Sequence, residues 1–92
     1  MLNRLLSDVA LLAVGGDMPR YRDLTGESGV VAFETMEDAI LVGFKDGKIY
    51  LYDYGRPGHQ EVEDMKRLAA RGRGLSTYIS QRVRERYAKR LR

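Results

Sequence analysis

Apolar positions recur through the first fourteen residues at steps of three and four. Leu2, Leu5, Leu6, Val9, Leu12 and Ala13 therefore fall on one stripe of a helix, which Gly15-Gly16 ends. Such a stripe needs cover, either from its own domain or from the same stripe of a second copy, which would make a homodimer through residues 2–13. Residues 15–29 then combine four of the ten glycines with Pro19 and a run of charged, Ser and Thr residues, the composition of a linker. From Ser28 the period shortens. Val30-Val31-Ala32-Phe33 is a β-rich run, Met36-Glu37-Asp38 a turn, and Ile40-Leu41-Val42-Gly43-Phe44 a second strand. Asp46-Gly47 between two β-rich runs predicts a two-residue hairpin, since glycine accepts the positive φ that such turns require.

With Lys45 opposite Lys48, the hairpin pairs Phe44 with Ile49, Gly43 with Tyr50, Val42 with Leu51, Leu41 with Tyr52 and Ile40 with Asp53. Alternation then puts Ile40, Val42, Phe44, Ile49 and Leu51 on a core face. Leu41, Gly43, Tyr50, Tyr52 and Tyr54 fall on the other, beside Lys45 and Lys48. After Gly55-Arg56-Pro57-Gly58 the spacing becomes helical again. Val62, Met65, Leu68 and Ala69 mark one helix over residues 59–70, closed by Arg71-Gly72-Arg73-Gly74, and Leu75, Ile79, Val83, Tyr87 and Leu91 mark a second over residues 75–91. The expected architecture is α+β: an N-terminal helix, a three-stranded antiparallel β-meander, and two C-terminal helices packed on one sheet face. Residues 1–14 form the N-terminal helix, 15–27 the linker and 28–92 the compact domain.

Composition narrows the function classes. Ninety-two residues support one core, and 43% apolar against 32% charged residues suit a folded chain rather than a disordered one. The absence of cysteine removes disulfides, thiolate chemistry and Cys-based metal sites. Asp8 interrupts the leading apolar run, which argues against a signal peptide or a membrane span and for a soluble, cytoplasmic protein. Charge is segregated: residues 1–70 carry 8 Lys and Arg against 12 acids, net −4, whereas residues 71–92 carry 8 against Glu85 alone, net +7. A cationic surface of that kind suits phosphate or an acidic protein partner.

The span from Ser28 to about Leu91 resembles the KTSC family, a module named for its place at the C-terminus of some lysyl-tRNA synthetases and also found as a stand-alone bacterial protein. The resemblance rests on Ser28, on Leu41-x-x-Phe44-x-x-Gly47-x-x-Tyr50-x-Tyr52, on Pro57, on Leu68-Ala69, and on a glycine-bearing break before a basic helix ending near Tyr87. It covers about two-thirds of the chain. It implies a module type and, from the family's company, RNA binding. The family usually carries an aromatic soon after the inter-helix glycine, where this chain has Gly74-Leu75-Ser76-Thr77-Tyr78, and the Arg71–Gly74 break is unusually rich in arginine.

Two surfaces carry candidate chemistry. Arg82, Arg86 and Arg90, four apart on a helix, would line one stripe with Lys89 beside it and give the footprint of a nucleic-acid backbone; the plainer reading is a solvated face with Glu85 paired to Lys89. Tyr50 and Tyr52, with Lys45 and Lys48 close by, have the makings of a stacking platform for bases, or are a half-buried face under the N-terminal helix. Arg71 and Arg73, separated by glycine, suit a basic loop near phosphates or a simple helix stop. An enzyme is not expected. His59 is the only histidine and lacks a nucleophile at motif spacing, Glu61, Glu63 and Asp64 suit a helix start better than a metal, and Glu34, Asp53 and Arg56 are dispersed. No cofactor is implied. The expected function is RNA or single-stranded nucleic-acid binding, with protein–protein interaction as the alternative.

Overall fold

The computed structural model describes residues 20–22 and 29–92. Three strands lead: β1 (Val30–Met36), β2 (Ala39–Phe44) and β3 (Ile49–Asp53), joined by short antiparallel connections. Helix α1 (His59–Arg71) follows, then α2 (Leu75–Tyr78), which runs on into a π-helical turn over Ile79–Val83. The chain returns to the sheet as β4 (Lys89–Arg90), giving the spatial order β1-β2-β3-β4.

This corrects the expected architecture. The sheet has four strands instead of three, and its helices lie between the third and fourth. No N-terminal helix is part of the described fold, and the stripe over residues 2–13 lies outside the described residues. The second helix is also shorter than its periodicity predicts: it ends at Val83 rather than Leu91, with Arg84 at φ 54 turning the chain. The reason is tertiary. Beyond Arg84, Tyr87 meets the Tyr50 ring with centroids 4.4 Å apart, while Leu91 packs on the opposite sheet face near Leu41, Ile49 and Leu51. The Ala88 and Leu91 amides donate to the Leu51 and Ile49 carbonyls at 2.7 and 2.8 Å, closing the β3 edge that a continuing helix would leave open.

The β2–β3 hairpin forms with one more loop residue than expected. The Gly47 amide donates to the Phe44 carbonyl and the Phe44 amide to the Lys48 carbonyl, both at 2.9 Å, so Lys45-Asp46-Gly47 is the loop and Gly47 sits at φ 89. That is the three-residue hairpin with glycine in the left-handed region. The pairs become Gly43 with Ile49, Val42 with Tyr50, Leu41 with Leu51, Ile40 with Tyr52 and Ala39 with Asp53. A slip of one residue exchanges faces on one strand relative to the other. Tyr50 and Tyr52 therefore join Ile40 and Val42, not Leu41 and Gly43.

The face bearing Ile40, Val42 and Tyr52 is the main core. It meets Val62, Met65 and Ala69 of α1, Leu75 of α2, and Ile79 and Val83 of the π turn. Each large aliphatic side chain enclosed there contributes roughly 1.5–3 kcal/mol of apolar burial. Within the segment read as linker, Tyr21 also enters this core at 5% exposure; its amide donates to the Val31 carbonyl at 3.0 Å and its hydroxyl accepts from the Leu75 amide at 3.2 Å. α1 ends as its sequence requires. Gly72 takes φ 76, its amide reaches the Leu68 and Ala69 carbonyls, and Arg73 donates back to Leu68.

Candidate nucleic-acid interface

The eight cations of residues 71–92 are not gathered on one helical stripe. Arg82 lies in the π turn, Arg84 at the positive-φ corner, Arg86 in the return, and Lys89 and Arg90 on β4. All five are exposed. Arg90 stands opposite Tyr50 across the β3–β4 ladder and Lys89 opposite Leu51, so the two point to opposite faces of the sheet. Among the described residues only Arg86 of this set approaches a carboxylate, Glu61 at 3.7 Å, and its guanidinium also donates to the Arg82 carbonyl. The expected Glu85–Lys89 pair is not formed.

Arg71 and Arg73 are placed elsewhere. They flank Gly72 at the end of α1, where Arg22 crosses the glycine and donates to the Ala70 carbonyl at 2.6 Å. Tyr21 and Arg20 hold that neighbourhood to the outer edge of β1, through the Val31 hydrogen bond and a bridge between Arg20 and Ala32. Arg71 and Arg73 therefore lie toward the β1 side of the sheet, and Lys89 and Arg90 on its far edge at β4. Lys45 and Lys48 sit in the hairpin loop; Lys48 is 3.7 Å from Asp46, whose carboxylate also accepts from the Lys48 amide.

The tyrosine row is divided by the corrected register. Tyr52 is 1% exposed, wholly inside the helix-covered core, and burial, reinforced by the neighbouring Tyr50 and Tyr87 phenols, pushes its hydroxyl well above the usual tyrosine range. It has no ring face for a base. Tyr50 remains half-buried, edge-on to Phe44 at 5.7 Å and against Tyr87 at 4.4 Å. Tyr87, packed against Tyr50, is an aromatic that the sequence reading did not place beside the candidate site. Its spacing from Val83 matched a helical core stripe, and nothing local marked the return to the sheet.

Tyr54 belongs to a separate polar cluster at the opposite end of the sheet. Its hydroxyl donates to Glu63 at 2.7 Å and lies 3.1 Å from the Glu37 carbonyl, and Lys66 reaches that carbonyl at 2.7 Å and Glu63 at 2.9 Å. His59 packs against the Tyr54 ring at 4.4 Å. The hydrogen bond to Glu63 is the main cause raising the Tyr54 hydroxyl to about 12, and the same bond, followed by that from Lys66, holds the Glu63 carboxyl below its usual range. The cluster clamps the β1–β2 turn to α1. Asp53 is likewise committed, accepting from the Gly55 and Arg56 amides at 2.9 and 2.8 Å. Among the described residues no group of three or more His, Cys, Asp or Glu is disposed to hold a metal ion, and no helix is long and apolar enough to cross a membrane.

Comparison with known proteins adds no relative: no family model matches the chain, and neither does any curated protein or solved structure.

Proposed function

We propose that this is a small KTSC-like module that binds RNA or another single-stranded nucleic acid through the phosphate backbone. The observation that carries the reading is the state of its cations. Arg82, Arg84, Lys89 and Arg90 are exposed and form no ion pair among the described residues, in a segment of net charge +7. Arg90 donates from Nε to the Arg92 carbonyl at 3.2 Å, and the remaining donors of these side chains, without carboxylate partners, can take phosphate oxygens, to which forked guanidinium donors are matched. Tyr50 and Tyr87, half-buried beside Arg90, supply the aromatic surface on which one exposed base can rest. Tyr52 has no part in contact with the ligand. The family reading rests on residue pattern alone, of which Phe44-x-x-Gly47-x-x-Tyr50-x-Tyr52 here forms a hairpin with Gly47 at positive φ and its tyrosines toward the helices.

The test is a fluorescence-anisotropy titration with labelled single-stranded RNA, duplex RNA and duplex DNA over a range of salt, beside an Arg82→Ala/Lys89→Ala/Arg90→Ala variant whose fold is checked by circular dichroism. Four phosphate contacts on a single strand give a slope of log affinity against log salt of about −2.8. The variant should lose most of that dependence. Absence of binding by the wild-type protein at low salt would overturn the proposal and leave an acidic protein as the partner these cations suit.

A further inference from the structure

The two groups of unpaired arginines, at the end of α1 and after the π turn, are joined by a stretch of chain that carries no acid of its own. Residues 71–84, Arg-Gly-Arg-Gly-Leu-Ser-Thr-Tyr-Ile-Ser-Gln-Arg-Val-Arg, contain no acid. Leu75, Ile79 and Val83 turn inward to the core, while Thr77, Ser80, Gln81, Arg82 and Arg84 are exposed. Glu85 follows the segment directly and is exposed, and the α1 carboxylates beside the segment are already engaged. Asp64 takes the Tyr78 hydroxyl at 2.8 Å and Arg67 at 3.0 Å, and Glu61 faces Arg86. Arg71 and Arg73 are exposed at one end of the stretch and make no ion pair among the described residues. Gly74 leaves little side-chain bulk beside Arg73, while the Arg22 side chain covers Gly72.

We infer that one nucleic-acid strand lies along α2 and the π turn, held at one end by Arg71 and Arg73 and at the other by Arg82 and Arg84, so that both cationic groups grip a single ligand. The inference rests on the proposed nucleic-acid reading and extends it from a local patch to a path. Nine helical residues from Leu75 to Val83 span about 14 Å at about 1.5 Å each. A stacked strand rises about 3.4 Å per nucleotide, so roughly four nucleotides cover the helix, and one or two more at each end reach the arginines. The footprint is therefore about six to eight nucleotides. Along the middle the strand meets hydroxyl and amide groups from Thr77 and Gln81, which accept or donate without choosing a base, and this predicts little sequence preference.

The test uses the full chain with labelled oligouridylates of about 3 and about 12 nucleotides, and an Arg71→Ala/Arg73→Ala variant checked for its unfolding transition. Arg71 and Arg73 together with the four C-terminal cations of the proposed function, Arg82, Arg84, Lys89 and Arg90, make six phosphate contacts, which give the wild type a salt slope of about −4.2 on the longer strand, and the variant drops to about −2.8. The shorter strand cannot reach both groups, so its slope is the same, within error, on the two proteins when it is held by the C-terminal cations. Binding of the long strand with equal slopes for wild type and variant would overturn the single path while leaving the C-terminal contact intact. Failure of the wild type to bind the long strand at all would overturn the proposed function itself.

Discussion

Replacing Tyr52 by alanine separates the two possible roles of the central tyrosine. Tyr52 is 1% exposed and pairs with Ile40, on the face that meets Val62, Met65 and Ile79. Truncating a buried aromatic ring to a methyl group costs about 3–5 kcal/mol, because transfer energy and cavity both count. A domain of this length has a total stability of roughly 5–14 kcal/mol, so the change removes a large share of it. At roughly 4–8 °C per kcal/mol, even the lower figure lowers the melting temperature by about 12–24 °C. Urea unfolding followed by circular dichroism is the assay, with Tyr52→Leu as the bulky non-aromatic comparison and Val31→Ala, at a 38% exposed bulge position, as the control expected to move little. Tyr52→Leu should keep both fold and salt-dependent nucleic-acid affinity. A Tyr52→Ala protein within about 0.5 kcal/mol of wild type, but with weakened RNA binding, would refute the three-residue hairpin and return the ring to the surface.

Three further outcomes follow from the same geometry. Gly47→Ala, at φ 89 with no atom within 4 Å of the added methyl, should cost only the left-handed conformation, about 1–2 kcal/mol in urea unfolding, whereas Gly72→Ala adds a 2.8 Å approach to the Arg22 side chain and should cost more. Stability should fall at high pH. Burial first, and then the hydrogen bond to Asp64, push Tyr78 up to about 12, so its contribution is complete below the unfolded value of about 10 and is lost as pH rises toward about 12; Tyr78→Phe should flatten that decline in urea midpoints measured against pH. At the acid end the hydrogen bond from Tyr78 leads in lowering Asp64, so its contribution is present above its unfolded value near ~4 and is lost as pH falls through the lower folded one, a decline that Asp64→Asn should remove.

The parts of the fold legible in the sequence are those decided by neighbours along the chain. Asp46-Gly47 marks a hairpin, and Gly72 after a helical run of Val62, Met65 and Ala69 marks a helix end; both stand in the structure. The length of the hairpin loop was not legible, because Asp-Gly serves a two-residue turn and a three-residue one equally well. That single residue decides whether Tyr50 and Tyr52 lie with Leu41 or with Val42. β4 was hidden for a different reason. Tyr87 and Leu91 continue the four-residue spacing of Leu75, Ile79 and Val83, yet they pack on opposite sides of the sheet, and only the open β3 edge explains the change of conformation. The cationic character of the candidate site was plain from charge alone. Its geometry was not, since Arg82, Arg86 and Arg90 share a stripe only if the helix continues.

The two-residue strand that closes the sheet has a bearing on solubility. β3 reads Ile-Tyr-Leu-Tyr-Asp, four apolar or aromatic residues in succession, and among the described residues its edge is covered by Lys89-Arg90 and the residues beside them. A cationic outermost strand discourages edge-to-edge pairing by charge repulsion and by its shortness. Loss of residues 87–92 would expose the β3 backbone and the flank of Tyr50 together, an edge that favours self-association through the sheet. The arginines and lysine proposed to hold a nucleic acid would then also be gatekeepers, and a bound polyanion that neutralises them would weaken the barrier they raise between copies of the chain.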